Sequence, residues 1–142
     1  MADVAAHDGA QTHHYVVSFP AHPARADDPH YADFNAFHRA HHDTAQCEIG
    51  LHRGDFTECD LTHPMELHHA HIEFALQNGV DLAWLEKDYP GVSDPTQVGA
   101  WVETGANFVW YCQFHHRGRG GAHTASASDF EAERYVRGLI QP

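Results

Sequence analysis

The segment NFVWYCQFHHRGRGGAH, residues 107–123, decides how the rest of the chain is read. It opens as a strand, because Phe108, Val109, Trp110 and Tyr111 are aromatic or β-branched and suit a pleated, half-buried surface. It then runs through Cys112, His115 and His116 into a stretch broken by Gly118, Gly120 and Gly121, and closes on His123. A solvated loop has no use for a cysteine and three imidazoles at this density. The question is which of these side chains share a job.

Spacing separates them. Cys112 and His115 stand as C-x2-H, and Cys59 and His63 stand as C-x3-H. Two short-spaced pairs far apart in the chain are how a tetrahedral zinc site is built, each pair coming from one turn. Zinc on Cys59, His63, Cys112 and His115 would tie the region near residue 60 to the region near 112 and stabilise a small domain. The alternative is that the cysteines are buried thiols, the usual fate of free Cys. The first pair is the looser one, and Cys47 and His52 are its possible substitutes.

A second group is His68-His69 in MELHHAHI (65–72), then Asn107, then His116. Neighbours on a strand point to opposite sides, so His68 and His69 cannot both serve one ligand on a regular strand. At a strand end one can hold a metal while the other addresses substrate. The bland alternative for HHAH is a partly exposed helix start with incidental imidazoles.

The wider chain bounds these readings. Its 142 residues predict one domain with a real core. Three unevenly spaced cysteines make no disulfide framework, so a reducing cytoplasm is expected, with thiols free or on metal. No apolar run long enough for a membrane span and no signal-peptide pattern are present. The net charge is −12 with histidine neutral, against only eight Lys and Arg, which argues against indiscriminate grip on nucleic acid. Four of those eight, Arg117, Arg119, Arg134 and Arg137, lie near the C-terminus, so charge is polarised. Of the 16 histidines, His7, His13, His14, His22, His30, His41 and His42 sit among Ala, Asp and Pro and read as surface residues.

Element by element, residues 1–13 read as disordered and 14–142 as the single domain. HYVVSF (14–19) reads as a strand, and a helix follows from about 29 to 43, with Asp28 as its cap and Pro29 at its first position. Tyr31, Phe34, Phe37 and His41 share one face of it. CEIGLHRGDFTEC (47–59) reads as a loose hairpin turning at Arg53-Gly54-Asp55, and HIEFALQNG (71–79) as a short helix stopping at Asn78-Gly79. One or two helices lie around Pro90 and Pro95. The clearest helix is 128–140, with Ser128 and Glu131 as a capping box and Ala132, Tyr135, Val136, Leu139 and Ile140 as its buried stripe.

MELHHAHI followed by NFVWYCQFHHRGRGGAH resembles the HNH endonucleases, the His-Me finger or ββα-metal group, over about residues 59–123. That family's pattern is a strand ending in two catalytic residues, a loop, an Asn opening a second strand, and a helix bearing a His nine positions after the Asn. Asn107 and His116 have that spacing. Many members also carry a structural zinc, whose second ligand pair Cys112 and His115 would match with His in place of Cys. The Gly-rich HHRGRGGAH also resembles small HNH proteins of actinobacterial phages, which would place the protein in a bacterial host cytoplasm. The gap from His69 to Asn107 is longer than usual, which makes 80–104 an insertion.

The resemblance implies an α+β fold with a ββα-metal core, a structural Zn²⁺, flanking helices and an N-terminal strand-helix extension. It implies a metal-dependent DNA endonuclease in which His69 is the general base and Asn107 braces the loop carrying it. His68 and His116 would hold one catalytic divalent cation (Mn²⁺, Mg²⁺, Ni²⁺ or Zn²⁺), with imidazole ligands favouring the ions other than Mg²⁺. His123 would be a further ligand or a phosphate contact, and the glycines either admit a phosphate or form a plain flexible loop. Arg117 and Arg119 would clamp the DNA backbone, and a DNA-packaging or replication protein is the expected partner. The competing reading is a zinc-stabilised interaction module without chemistry, and a third is a His-rich metal carrier.

Overall fold

A computed structural model describes residues 2–12, 14 and 16–140. It is a mixed α/β chain. In order, it forms α1 (Tyr31–His41), α2 (Glu48–Arg53), β1 (Glu66–His69), α3 (Leu82–Asp88), α4 (Pro95–Val102), β2 (Phe108–Tyr111), α5 (Gln113–Arg117) and α6 (Ala127–Ala132), with short 3-10 turns between them. Among the described residues no helix is long and apolar enough to cross a membrane.

The two strands pair antiparallel, with Glu66 opposite Tyr111, Leu67 opposite Trp110, His68 opposite Val109 and His69 opposite Phe108. Period-2 alternation therefore gives the ribbon two different faces. Leu67, His69, Phe108 and Trp110 look toward α1, where Phe34 packs on His69 and Phe108, Phe37 on Phe108, and His38 on Trp110. Glu66, His68, Val109 and Tyr111 look the other way, toward α5, and Tyr111 packs edge-on against Phe130 of α6. An isolated two-stranded ribbon is marginal in water, so these flanking helices make it stable.

Apolar burial divides into two clusters. Cys47, Ile49, Tyr111, Cys112, Phe114 and Phe130 form one under the α5 face. Leu85, Val92, Val98, Trp101 and Val102 form the other within segment 80–104. The helices of this segment are locally specified. Asp81 caps α3 by accepting from the Trp84 amide. Asp94 and Gln97 make a reciprocal capping box at α4, with Pro95 in its first turn.

Several sequence expectations are corrected. Residues 47–53 do not form a hairpin arm: they make α2, which stops at Gly54 in the left-handed region (φ 65°), where the Gly54 amide reaches the Gly50 and Leu51 carbonyls. The N-terminal strand at 14–19 is not formed among its described residues, with Tyr15 outside them. Among the described residues no neighbouring strand takes its hydrogen bonds. Helix α1 starts at Tyr31 rather than 29, and Asp28 turns inward, accepting from the His30 amide and from Gln77.

The C-terminal helix is the largest miss. It spans Ala127–Ala132, is capped by Ser126 rather than Ser128, and gives way to turns before 140. Tyr135, Val136 and Leu139 are exposed, and of the expected stripe Ile140 joins the core margin. Its helical periodicity had no packing surface to meet. Of the expected disordered N-terminus, Met1 and His13 lie outside the described residues, and 2–12 carry no secondary structure.

Candidate functional site

Among the described residues, two clusters of side chains that could hold a metal ion lie on the α5 side of the ribbon, and α5 belongs to both. The first joins Cys47, at the start of α2, Cys59 in the following loop, Cys112, at the cap of α5, and His115, one turn on. The sulfurs lie 3.5, 3.7 and 3.2 Å from His115 Nδ1, for Cys47, Cys59 and Cys112 respectively. Zn–S bonds near 2.3 Å and a Zn–N bond near 2.05 Å, at tetrahedral angles, require an S···N edge of about 3.6 Å. The donor set fits a metal such as zinc.

The electrostatics of the cluster point the same way. Hydrogen bonds from Cys112 and then Cys59 hold the Cys47 thiol far below its ordinary value, and Cys59, hydrogen-bonded to the same sulfurs, is pushed up in turn. Burial acts to lower His115, but the sulfurs of Cys112 and Cys47 outweigh it and raise the imidazole to about 9. A divalent ion would replace the shared protons.

This corrects the sequence assignment at one position. His63 is not in the cluster: it is exposed and bonds Asp60 at 2.8 Å. Cys47 takes its place, fully buried. The missed signal is tertiary, since Cys47 stands twelve positions before Cys59 and reaches it only because α2 folds back.

The second cluster is His68, His116 and His123. His68 comes from β1, His116 from α5, and His123 from the Gly-rich turn beyond it. His123 Nε2 lies 3.2 Å from His68 Nδ1 and 3.1 Å from His116 Nε2. Three nitrogens at 2.0–2.1 Å from one ion would be separated by about 2.9–3.4 Å, so this set fits a facial metal site as well. Glu66 accepts from His116 Nδ1 at 3.1 Å, which leaves Nε2 facing its partners. Burial, then the positive charge His116 and His123 would carry, depress His68 to about 3. Burial also lowers His116, against the opposing pull of Glu66. Both imidazoles are therefore neutral ligands near neutral pH.

The turn that delivers His123 needs its glycines. A Cβ on Gly121 would lie 2.6 Å from the Phe114 carbonyl oxygen and 2.7 Å from that of His116. The His123 amide bonds the His116 carbonyl at 3.0 Å, folding the turn back over α5.

His69 ends β1 and faces away from this trio, toward α1. Its Nε2 lies 3.2 Å from Glu103 Oε2, while its Nδ1 stands 3.7 Å from Glu73. Glu103 is 3 % exposed and is also bonded by Arg25, so its carboxylate is fixed. Neither residue was singled out in the sequence: one follows α4 and the other lies in the N-terminal loop.

Asn107 is fully buried. Its side-chain oxygen accepts from the His71 and Ile72 amides at 3.0 Å each, and its amide donates to the Ile72 and Val102 carbonyls at 2.8 and 3.0 Å. It braces the chain immediately after His69.

The cations are largely spoken for. Arg117 pairs with Glu66 at 3.0 Å, Arg134 with Glu131 and Glu48, and Arg137 with Asp55. Arg119 lines an open cavity of about 620 Å³ with Asp60, Gln113 and Arg117. No family model matches the chain, and no curated protein or solved structure matches it either.

Proposed function

We propose that the protein is a metal-dependent endonuclease of the HNH type, hydrolysing DNA phosphodiester bonds on a ββα-metal core made of β1, β2 and α5. The observation that carries this is the convergence of His68, His116 and His123, with the strand-end His69, on the other face of the ribbon, oriented by a buried carboxylate. The trio would hold one divalent cation, which when bound supplies charge stabilisation at the phosphate and the leaving 3′ oxygen. His69 is the general base. Its Nε2–H donates to Glu103, so Nδ1 is the nitrogen left to take a proton from water, and the Glu103 carboxylate stabilises the resulting imidazolium. Arg25 keeps Glu103 in place. Asn107 positions the backbone that follows His69 without touching substrate. The thiolates of the Cys47/Cys59/Cys112/His115 site suit a reducing cytoplasm, that of a bacterial host if the protein is phage-encoded.

The paired arginines add a condition. At least five of the eight cationic side chains are bonded to carboxylates of the same chain, on a protein of net charge −12. Grip on DNA is therefore supplied in part by a DNA-packaging or replication partner. The same observation favours the second reading, an interaction module that keeps the metal sites without cleavage.

Nicking of supercoiled plasmid at low salt, across a Mn²⁺, Ni²⁺ and Zn²⁺ titration, separates the two. His69→Ala should bind the ion normally and cleave at least about a hundredfold more slowly than wild type. His68→Ala and His116→Ala should lose metal binding. Equal low rates from wild type and His69→Ala would identify contaminant activity and leave the interaction module.

A further inference from the structure

His115 is fully buried and uses one ring nitrogen, Nδ1, toward the three sulfurs. Its other nitrogen, Nε2, has no hydrogen-bond partner. Glu133 Oε1 stands 4.0 Å from it, the Glu133 side chain is 3 % exposed, and its second oxygen, Oε2, has no hydrogen-bond partner. A buried ring nitrogen without a partner beside a buried carboxylate with an unsatisfied oxygen is a costly arrangement. A metal on Nδ1 leaves an imidazole whose only hydrogen is on Nε2, and a ligating histidine nearly always hands that hydrogen to a carboxylate, carbonyl or water.

We propose that Glu133 is the outer carboxylate of the Cys47/Cys59/Cys112/His115 centre, accepting the Nε2–H of metal-bound His115, and that the metal thereby fastens the C-terminal segment 126–140 to the domain. The inference requires the metal centre alone and is independent of phosphodiester cleavage. Glu133 is well placed for it. Its backbone carbonyl accepts from Arg53 of α2, and Arg53 also bonds Glu58, next to Cys59, at 2.6 Å. The residue is thus tied to the end of α2 and, through Arg53, to the loop that carries Cys59. Beyond it the holds are chiefly polar and partly exposed, Arg134 on Glu48, Arg137 on Asp55 and Tyr135 edge-on to His52. Tyr135, Val136 and Leu139 are exposed, and Ile140 is the apolar side chain that packs back on the core margin, covering Gly120 so closely that a Cβ there would lie 2.5 Å from it. Gly120 lies in the turn that delivers His123, so the fastened segment also backs the histidine trio.

The test uses full-length, zinc-loaded protein. Glu133→Ala should bind zinc about 10–100-fold more weakly in chelator competition. Glu133→Gln, which keeps an acceptor oxygen, should recover most of that affinity. The Co²⁺-loaded variants should keep the absorption of a tetrahedral sulfur-rich site, because the four ligands are untouched. Amide exchange over 133–140 should quicken in Glu133→Ala while α5 stays protected. If Glu133→Ala does not fold, the wild type suffices: stripping zinc should release 133–140 while α4, in the separate core, stays protected. Unchanged zinc affinity in Glu133→Ala, or 133–140 exchange indifferent to zinc, overturns the proposal. A wild type that takes up neither zinc nor Co²⁺ overturns the metal centre itself, a distinct result.

Discussion

Replacing Asn107 with alanine removes four hydrogen bonds at once: two accepted from the His71 and Ile72 amides and two donated to the Ile72 and Val102 carbonyls. Each such bond contributes about 1 kcal/mol net, so the set contributes about 4 kcal/mol. The groups left behind are unequal. His71 is exposed, so its amide can turn to water, whereas Val102 is fully buried and its carbonyl loses this partner without a replacement. The expected cost is therefore about 3–5 kcal/mol, a large share of the roughly 5–15 kcal/mol that holds a domain together. For a chain of this length that lowers Tm by about 10–15 °C. Urea unfolding of the zinc-loaded protein, followed by tryptophan fluorescence, measures it. Exchange at the His71 and Ile72 amides should rise first, because these are the bonds that pin the chain after His69. Asn107→Asp should be about as damaging, since it keeps the acceptor but loses both donors and sets a carboxylate against two carbonyls. A cost below about 1 kcal/mol for Asn107→Ala would refute the bracing role.

Cys47→Ser should strip the structural metal and His63→Ala should leave it in place, as elemental analysis of dialysed protein will show; the reverse result would restore His63 to the site. An imidazole of ordinary pKa near 6.5 is only about 3 % neutral at pH 5, whereas His68, held near 3, is still neutral there. Ni²⁺ binding at the trio should therefore weaken less between pH 7 and 5, by titration calorimetry, than for three free imidazoles. Because the folded value lies below the unfolded one, the stability tied to His68 in the metal-free protein is complete above about pH 6.5 and is lost as pH falls toward 3. A metal-free protein equally stable at pH 4 and 7 would contradict this. Phe130→Ala should cost about 3–5 kcal/mol and Tyr135→Ser no more than about 0.5 kcal/mol, because one is buried against Tyr111 and the other is exposed. Equal costs by urea unfolding would mean that the C-terminal segment packs as a continuous helix after all.

The sequence by itself determined what local chemistry determines. Phe108–Tyr111 is a strand because its side chains suit no other half-buried element, and α4 begins at Pro95 because Asp94 and Gln97 cap it. His68 and His116 were joined through the family resemblance, and His123 stood open between ligand and phosphate contact until the fold brought the three together. Cys112 and His115 were legible as one turn of chain. What only the tertiary structure decided depends on which elements meet across long separations. Cys47 rather than His63 completes the sulfur-rich cluster because α2 folds back under α5. Glu103 and Arg25 reach His69 from distant segments, and no spacing rule connects residues 25, 69 and 103. The periodic stripe at 132–140 failed for the converse reason. Helical spacing announces a face but not a surface to bury it against, and past Glu133 the domain offers room for Ile140 while Tyr135, Val136 and Leu139 stay in water.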